Sequence, residues 1–136
     1  MRLDDCTTQR NLTDEGRRHA RQIGETFRTR RVVVDRVLAS PWCRCVETAR
    51  LAFGTAEVWQ ALSNLYGRSE NQRQQVREMQ AVVGGWRSRG NLVLVSHGST
   101  ISALTGVSLD AGEMVVVTPQ GAERFVVIGR LAAHQP

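Results

Sequence analysis

The chain contains no lysine: its eighteen basic residues are all arginine, scattered from Arg2 to Arg130. A formal charge of +5 and a pI near 10.4 would ordinarily point to nucleic acid. The scatter argues otherwise, because tracking a phosphate backbone needs a stripe or patch. Aromatic residues are scarce as well, with three Phe, three Trp and one Tyr, none alternating with arginine. That excludes a stacking platform for single strands, so nucleic acid is not an expected partner. Long apolar runs are missing, and with them any segment of membrane-spanning length. No membrane partner is expected. Arg2, Asp4, Asp5, Arg10, Asp14 and Glu15 interrupt the start of the chain, which therefore cannot be the apolar segment of a signal peptide. Read as written, the chain is cytoplasmic.

Cysteine is equally sparse, at positions 6, 43 and 45. In an oxidising compartment Cys6 could bridge to Cys43 or to Cys45, leaving one thiol over. No Cys-x-x-Cys pair occurs and His19 does not complete a ligand spacing, so no metal or other cofactor is expected. What is present is ordinary for one globular domain: 136 residues, 41% hydrophobic and 23% charged. No repeat or linker divides residues 1–136.

Residues 1–12 show neither helical nor strand period and read as a loop. Thr13 is a fitting N-cap, with Asp14 and Glu15 at the positive end of the helix that follows. Gly16, Ala20, Ile23, Gly24 and Phe27 form its packing stripe, and His19 falls off that stripe onto a solvated face. A β-rich run centred on residues 37–39 ends at Ser40-Pro41, where serine at the N-cap and proline in the first turn start a second helix through Phe53. Residues 54–67 carry weak signals, with Trp59, Leu62 and Leu65 packing as a turn and Ser63, Asn64 and Tyr66 outward. From Ser69, the positions Val76, Met79, Val83 and Trp86 keep a helical period weakened by Gly84 and Gly85. Residues 114–117 and 125–128 form a hairpin about a turn at Thr118-Pro119-Gln120-Gly121, and residues 132–136 fray.

The organising stretch is residues 92–105. Leu92, Val93, Leu94 and Val95 run without alternation, as a strand covered on both faces does. Ser96-His97-Gly98 then breaks the run, and Ile101 and Leu104 begin a short helix. His97 therefore stands at the carboxyl end of a buried strand, the edge where open α/β sheets bind ligands, beside a helix start that favours anions. Arg44 occupies the equivalent place after the first strand. Two such elements can converge on one tetrahedral oxyanion, whose transfer is assisted mostly by positive groups on its oxygens.

Three motifs in order resemble the histidine phosphatase superfamily, which has the phosphoglycerate-mutase-like fold. They are Leu12-Thr13-Asp14-Glu15-Gly16, then Ser40-Pro41-Trp42-Cys43-Arg44-Cys45-Val46-Glu47-Thr48-Ala49, then Val93-Leu94-Val95-Ser96-His97-Gly98. The segments at residues 4–11 and 42–45 are most similar to a bacterial, exported subgroup. The resemblance implies an α/β fold, a three-layer α/β/α sandwich. It implies His97 and Arg44 as catalytic residues, and Arg44, His97, Gly98, Asn11 and Thr13 as substrate-binding residues. The implied substrate is a phosphorylated small molecule or a phosphoprotein.

The pattern also departs from the family's. Its nucleophile is the histidine of an Arg-His-Gly motif ending the first strand, and only Met1, Arg2 and Leu3 precede Asp4 here. The expected domain is therefore N-terminally incomplete, missing its first strand and the phosphohistidine-forming side chain. It is expected to be inactive as a phosphomonoesterase, or to serve as a non-catalytic phosphate-binding member of the fold. Two strand edges would then stand open, and a homodimer across that gap is expected. A lost upstream export segment would make the protein periplasmic or exported. Glu57, Glu70 and Glu113 are candidate proton donors by position alone.

Overall fold

The computed structural model describes residues 2–64 and 69–132, and side chains for all of these except Ser69 and Glu70. Leu65, Tyr66, the Glu70 carboxylate and residues 133–136, each given an expectation above, lie outside the described residues.

Helix α1 spans Asp14–Thr29, and the Thr13 hydroxyl accepts from the Gly16 N–H as its cap. Strand β1, Val34–Ala39, leads to α2, Cys43–Phe53. Strand β2, Glu57–Val58, which the sequence reading missed, is followed by a single 3-10 turn at Gln60–Leu62. Helix α3 is Ser69–Gly84, β3 is Asn91–Val95 and α4 is Gly98–Thr105. The chain closes with β4, Glu113–Gly121, and β5, Arg124–Ala132.

Strands β2, β1 and β3 form a parallel sheet in that order, with Val37 opposite Val93 and Ala39 opposite Val95. Alternation along the strands divides the core into two faces. Val37, Ala39, Val93 and Val95 pack with Ala49, Val46 and Phe53 on the α2 side. Leu38, Leu92 and Leu94 pack with Leu62, Met79 and Leu104 on the side of α3 and α4. Helix α1 lies on α2, Phe27 meeting Phe53 edge to face at 5.0 Å. Glycine is required at the crossing: a Cβ at Gly24 would lie 1.9 Å from the Ala52 carbonyl oxygen. The result is the expected α/β/α sandwich.

The hairpin β4–β5 is a separate antiparallel sheet. It turns at Ala122-Glu123, later than the Thr118–Gly121 turn expected, and Pro119 and Gly121 fall instead at an irregularity within β4. Ala132, expected to fray, pairs with Glu113. The end of α3 abuts the hairpin so closely that a Cβ at Gly84 would stand 2.5 Å from the Ala122 carbonyl oxygen. Between β3 and β4 lies a cavity of about 730 Å³ lined by residues of both strands.

Candidate active site

The carboxyl ends of β1 and β3 are tied together by the Ser40 N–H, which donates to the Val95 carbonyl at 2.9 Å. The two segments that leave these ends therefore start side by side. The sequence placed Ser40 at the N-cap and Pro41 in the first turn of α2. In the structure the helix begins at Cys43, with Trp42 in the capping position and no side-chain cap. The correction has a physical cause: the Ser40 hydroxyl, fully buried, lies 2.8 Å from His97 Nε2. It serves the histidine more closely than the helix, although the Trp42 N–H also points at it from 3.4 Å.

His97 is buried, and its other nitrogen, Nδ1, lies 3.0 Å from Arg44 Nη2. A guanidinium only donates, so Nδ1 must accept, and in a neutral ring the proton resides on Nε2, where it donates to Ser40. The tautomer thus follows from the partners. Burial first, and the Arg44 charge second, lower the His97 pKa from 6.5 to about 4. The imidazole is neutral at pH 7 with the site in this arrangement.

Trp42 completes the enclosure. Its ring meets His97 edge-on at 5.6 Å and carries the Arg44 guanidinium over its face at 4.8 Å. Edge-on aromatic packing restricts His97, and cation–π attraction restricts Arg44. The Thr48 hydroxyl donates to the Arg44 carbonyl within α2. Cys45 Sγ lies 3.8 Å from His97 Nε2, and burial, partly offset by Arg44 and Ser40, pushes its pKa up to about 11. It packs beside the ring as a neutral thiol, with little nucleophilic character.

A disulfide joins Cys6 to Cys43, choosing one of the two pairings open to Cys6, and Cys45 stays free. The bridge holds residues 2–12 over the start of α2. Gln9, buried in this segment, accepts from the Cys43 N–H at 2.8 Å and donates to the Arg2 carbonyl at 3.0 Å. The expected loop also contains a 3-10 turn at Cys6–Thr8, capped by Asp5.

The remaining candidates have diverse surroundings. Gly98 opens α4 directly after His97, and a Cβ built on it meets nothing within 4 Å. Asn11 donates to the Cys6 carbonyl at 2.7 Å and so braces the bridged segment, while Thr13 caps α1. Glu57 is held in two hydrogen bonds by Arg36, and Glu113 by Arg130 at 2.7 Å, each arginine keeping its partner's pKa below the ordinary value. Carboxylates so held are poor proton donors. His19 is not solvated as expected: its ring is half-buried against Gly112, 1.9 Å from where a Cβ there would be. Ser40, Trp42, Gln9 and Cys45 were missed as site residues. The signal that could have found Ser40 was its position at a strand's end opposite the strand that carries His97.

Among the described residues no group of His, Cys, Asp and Glu is placed to hold a metal ion, and no helix is long and apolar enough to cross a membrane. No curated protein matches the chain. Its fold is similar to the solved structure of the protein histidine phosphatase SixA complexed with tungstate, with a TM-score of 0.68 at 19% identity. That similarity covers 91% of this chain and 85% of the other. The sequence model of branch 1 of the histidine phosphatase superfamily matches residues 6–87, which include α1, β1, Arg44 and all of α3. The chain belongs to the histidine phosphatase superfamily.

Proposed function

We propose that Arg44 and His97 form the oxyanion half-site of a histidine-type phosphomonoesterase, and that this chain binds a phosphoryl group without turning it over on its own. The observation that carries the reading is the 3.0 Å contact between Arg44 Nη2 and His97 Nδ1 at the adjoining carboxyl ends of β1 and β3. An oxyanion would replace this contact, the Arg44 side chain swinging away from Nδ1 to admit it. One oxygen, entering between the two groups, would accept from the guanidinium and draw a proton onto Nδ1, which would then donate to it as well. Trp42 and Ser40 hold the two donors in place, and α4, starting at Gly98, directs its positive end at the same point. The tungstate in the SixA structure is a tetrahedral oxyanion too, which supports the same ligand class here.

Turnover needs a nucleophile, and His97 is poorly suited to be one. Both its nitrogens are engaged, and its low pKa marks a weakly basic ring. His19 packs at Gly112, and Cys45 is a neutral buried thiol. Loss of a covalent nucleophile costs roughly 10⁶-fold in a hydrolase studied residue by residue. The reading therefore expects orthophosphate to bind, with Arg44→Ala weakening it at least about tenfold, and p-nitrophenyl phosphate to remain unhydrolysed. Isothermal calorimetry and a chromogenic assay measure both. Hydrolysis that vanishes in Arg44→Ala would overturn the inactivity and keep the phosphatase, whereas absence of phosphate binding would overturn the half-site.

A second reading, a non-catalytic member that recognises a phosphorylated small molecule or phosphoprotein, is favoured by the same intact donors without a nucleophile beside them. The two differ in ligand: the first expects free phosphate as tightly bound as phosphorylated compounds, the second a clear preference for one of them. The Cys6–Cys43 bridge supports an oxidising, exported location for either.

A further inference from the structure

We infer that the end of the parallel sheet opposite Arg44 and His97 is a docking surface for an anionic lipid bilayer. Arginine is scattered along the sequence, but the fold gathers it here. Strands β1 and β3 are parallel, with Val34 opposite Asn91, so the loops that enter them lie side by side. The Asn91 N–H and side-chain amide both donate to the Val33 carbonyl, at 2.8 and 2.9 Å. Arg31 stands just before Val33, and Arg87 and Arg89 just before Asn91. All three arginines are exposed, and among the described residues none of their side chains enters an ion pair. Asp35, the carboxylate at the start of β1, accepts instead from the Ser88 hydroxyl and the Gly90 N–H.

The second observation is the backbone at Arg31. The Val32 N–H donates to the Phe27 carbonyl and the Arg31 N–H to that of Arg28, which ends α1 with a left-handed residue at position 31, φ 56°. Helices α2 and α4 place glycine at their left-handed ends, Gly54 at φ 78° and Gly106 at φ 77°, because a Cβ is strained there. Helix α1 places an arginine there, and no ion pair within the chain offsets the strain. Attraction of cations to a helix C-terminus accounts for Arg28, in the last turn of α1. That attraction fades past the last turn, so it does not account for Arg87 and Arg89, which lie beyond the end of α3 at Gly84.

What lies among these arginines selects the partner. Val33 is 62% exposed and Val32 39%. Adjacent exposed valines beside unpaired guanidinium groups suit a surface where the cations meet lipid phosphates and the valines enter the acyl boundary. A nucleic-acid backbone gives the valines no apolar contact. Trp86, the aromatic residue of these loops, donates to the Gly90 carbonyl at 2.9 Å and is half-buried, so it is not presented to a base. In this orientation Arg44 and His97, at the carboxyl ends of the strands, face away from the bilayer.

The test is co-sedimentation of the full 136-residue chain at low ionic strength with vesicles of phosphatidylcholine, alone or mixed equally with phosphatidylglycerol. Binding is expected to the mixed vesicles only. The double variant Arg31→Gly, Arg89→Gln is expected to bind them at least about tenfold more weakly. Its unfolding midpoint is expected to stay level or rise, because glycine relieves the backbone at position 31. Removing the same charge near the starts of α1 and α3, with Arg18→Gln and Arg73→Gln, is expected to weaken binding by less than about threefold. Val33→Ser is expected to weaken it by at least about threefold. Arg44→Ala is expected to bind vesicles as the unaltered chain does. No binding to the mixed vesicles, equal losses in the two double variants, or full binding by Val33→Ser would each overturn the inference. So would a marked fall in the unfolding midpoint with Arg31→Gly, which would give Arg31 a role inside the fold. Loss of binding in Arg44→Ala would overturn it by assigning the lipid phosphate to the oxyanion site, and tighter binding of a duplex oligonucleotide than of the vesicles by assigning the surface to nucleic acid.

Discussion

The two sheets of this molecule are built from similar residues and end in opposite states. In the parallel sheet, Val37, Leu38 and Ala39 are buried, sandwiched between α2 and α3, and the strand ends converge on His97. In the hairpin, Val126, Ile128 and Leu131 remain exposed, Ile128 by 62%. Both regions are rich in valine, so β-propensity does not separate them. Neighbours do: β1 has a strand on either side and a helix layer on each face, whereas β5, which carries these exposed residues, pairs among the described residues with β4 alone. Side chains held at hydrogen-bonding distance, such as Ser40 and Arg44 against His97, belong to the half built around β1, which is paired on both edges.

Paired glycine substitutions give the sharpest contrast. Gly24→Ala gains up to about 1 kcal/mol of helix propensity but drives a Cβ into the Ala52 carbonyl, forcing α1 off α2. The clash wins, and urea unfolding is expected to show a net loss of roughly 4 kcal/mol. Reduction of the Cys6–Cys43 bridge, which closes a separation of 37 residues, is expected to remove roughly 3 to 4 kcal/mol by freeing the unfolded chain. Unfolding curves with and without reductant measure it.

Acidification acts on the same half through His97. Its folded pKa of about 4 lies below the ordinary 6.5, so between these values the unfolded chain binds the additional proton. Stability from this group is complete above pH 6.5 and is lost as pH falls towards 4, by at most roughly 3 kcal/mol. The same pH series on His97→Gln should lack that component. The smallest effect is expected in the hairpin, where Gly129→Ala meets nothing within 4 Å and should shift stability by no more than about 0.5 kcal/mol. A large loss there would show the hairpin to be as tightly built as the sheet, and the contrast would fail.

The sequence disclosed what depends on local pattern. The Thr13 cap, the apolar run before His97 and the helical period through Val76, Met79 and Val83 all led to elements near their observed limits, although Leu92 to Val95, expected to be covered on both faces, are only half-buried. It did not disclose β2, because two residues are too few to show a period, and the strand exists only because β1 offers it an edge. The hairpin turn was misplaced because Pro119 and Gly121 are accommodated by an irregular pairing and not by the turn itself. At the site, Arg44 and His97 were legible from their positions after strands. Ser40 was not, since its hydroxyl has two competing uses and only the meeting of β1 with β3 selects the histidine. Trp42 and Gln9 likewise acquire their contacts through a meeting of distant segments.

The most direct test of the oxyanion site is nitrogen NMR of the His97 ring at pH 6.5 during an orthophosphate titration. The account predicts a neutral ring protonated on Nε2 without phosphate, in keeping with the Ser40 and Arg44 contacts. It predicts a doubly protonated ring at saturation, and no such change in Arg44→Ala. A ring that stays neutral while phosphate binds, or that starts out protonated on Nδ1, would contradict it.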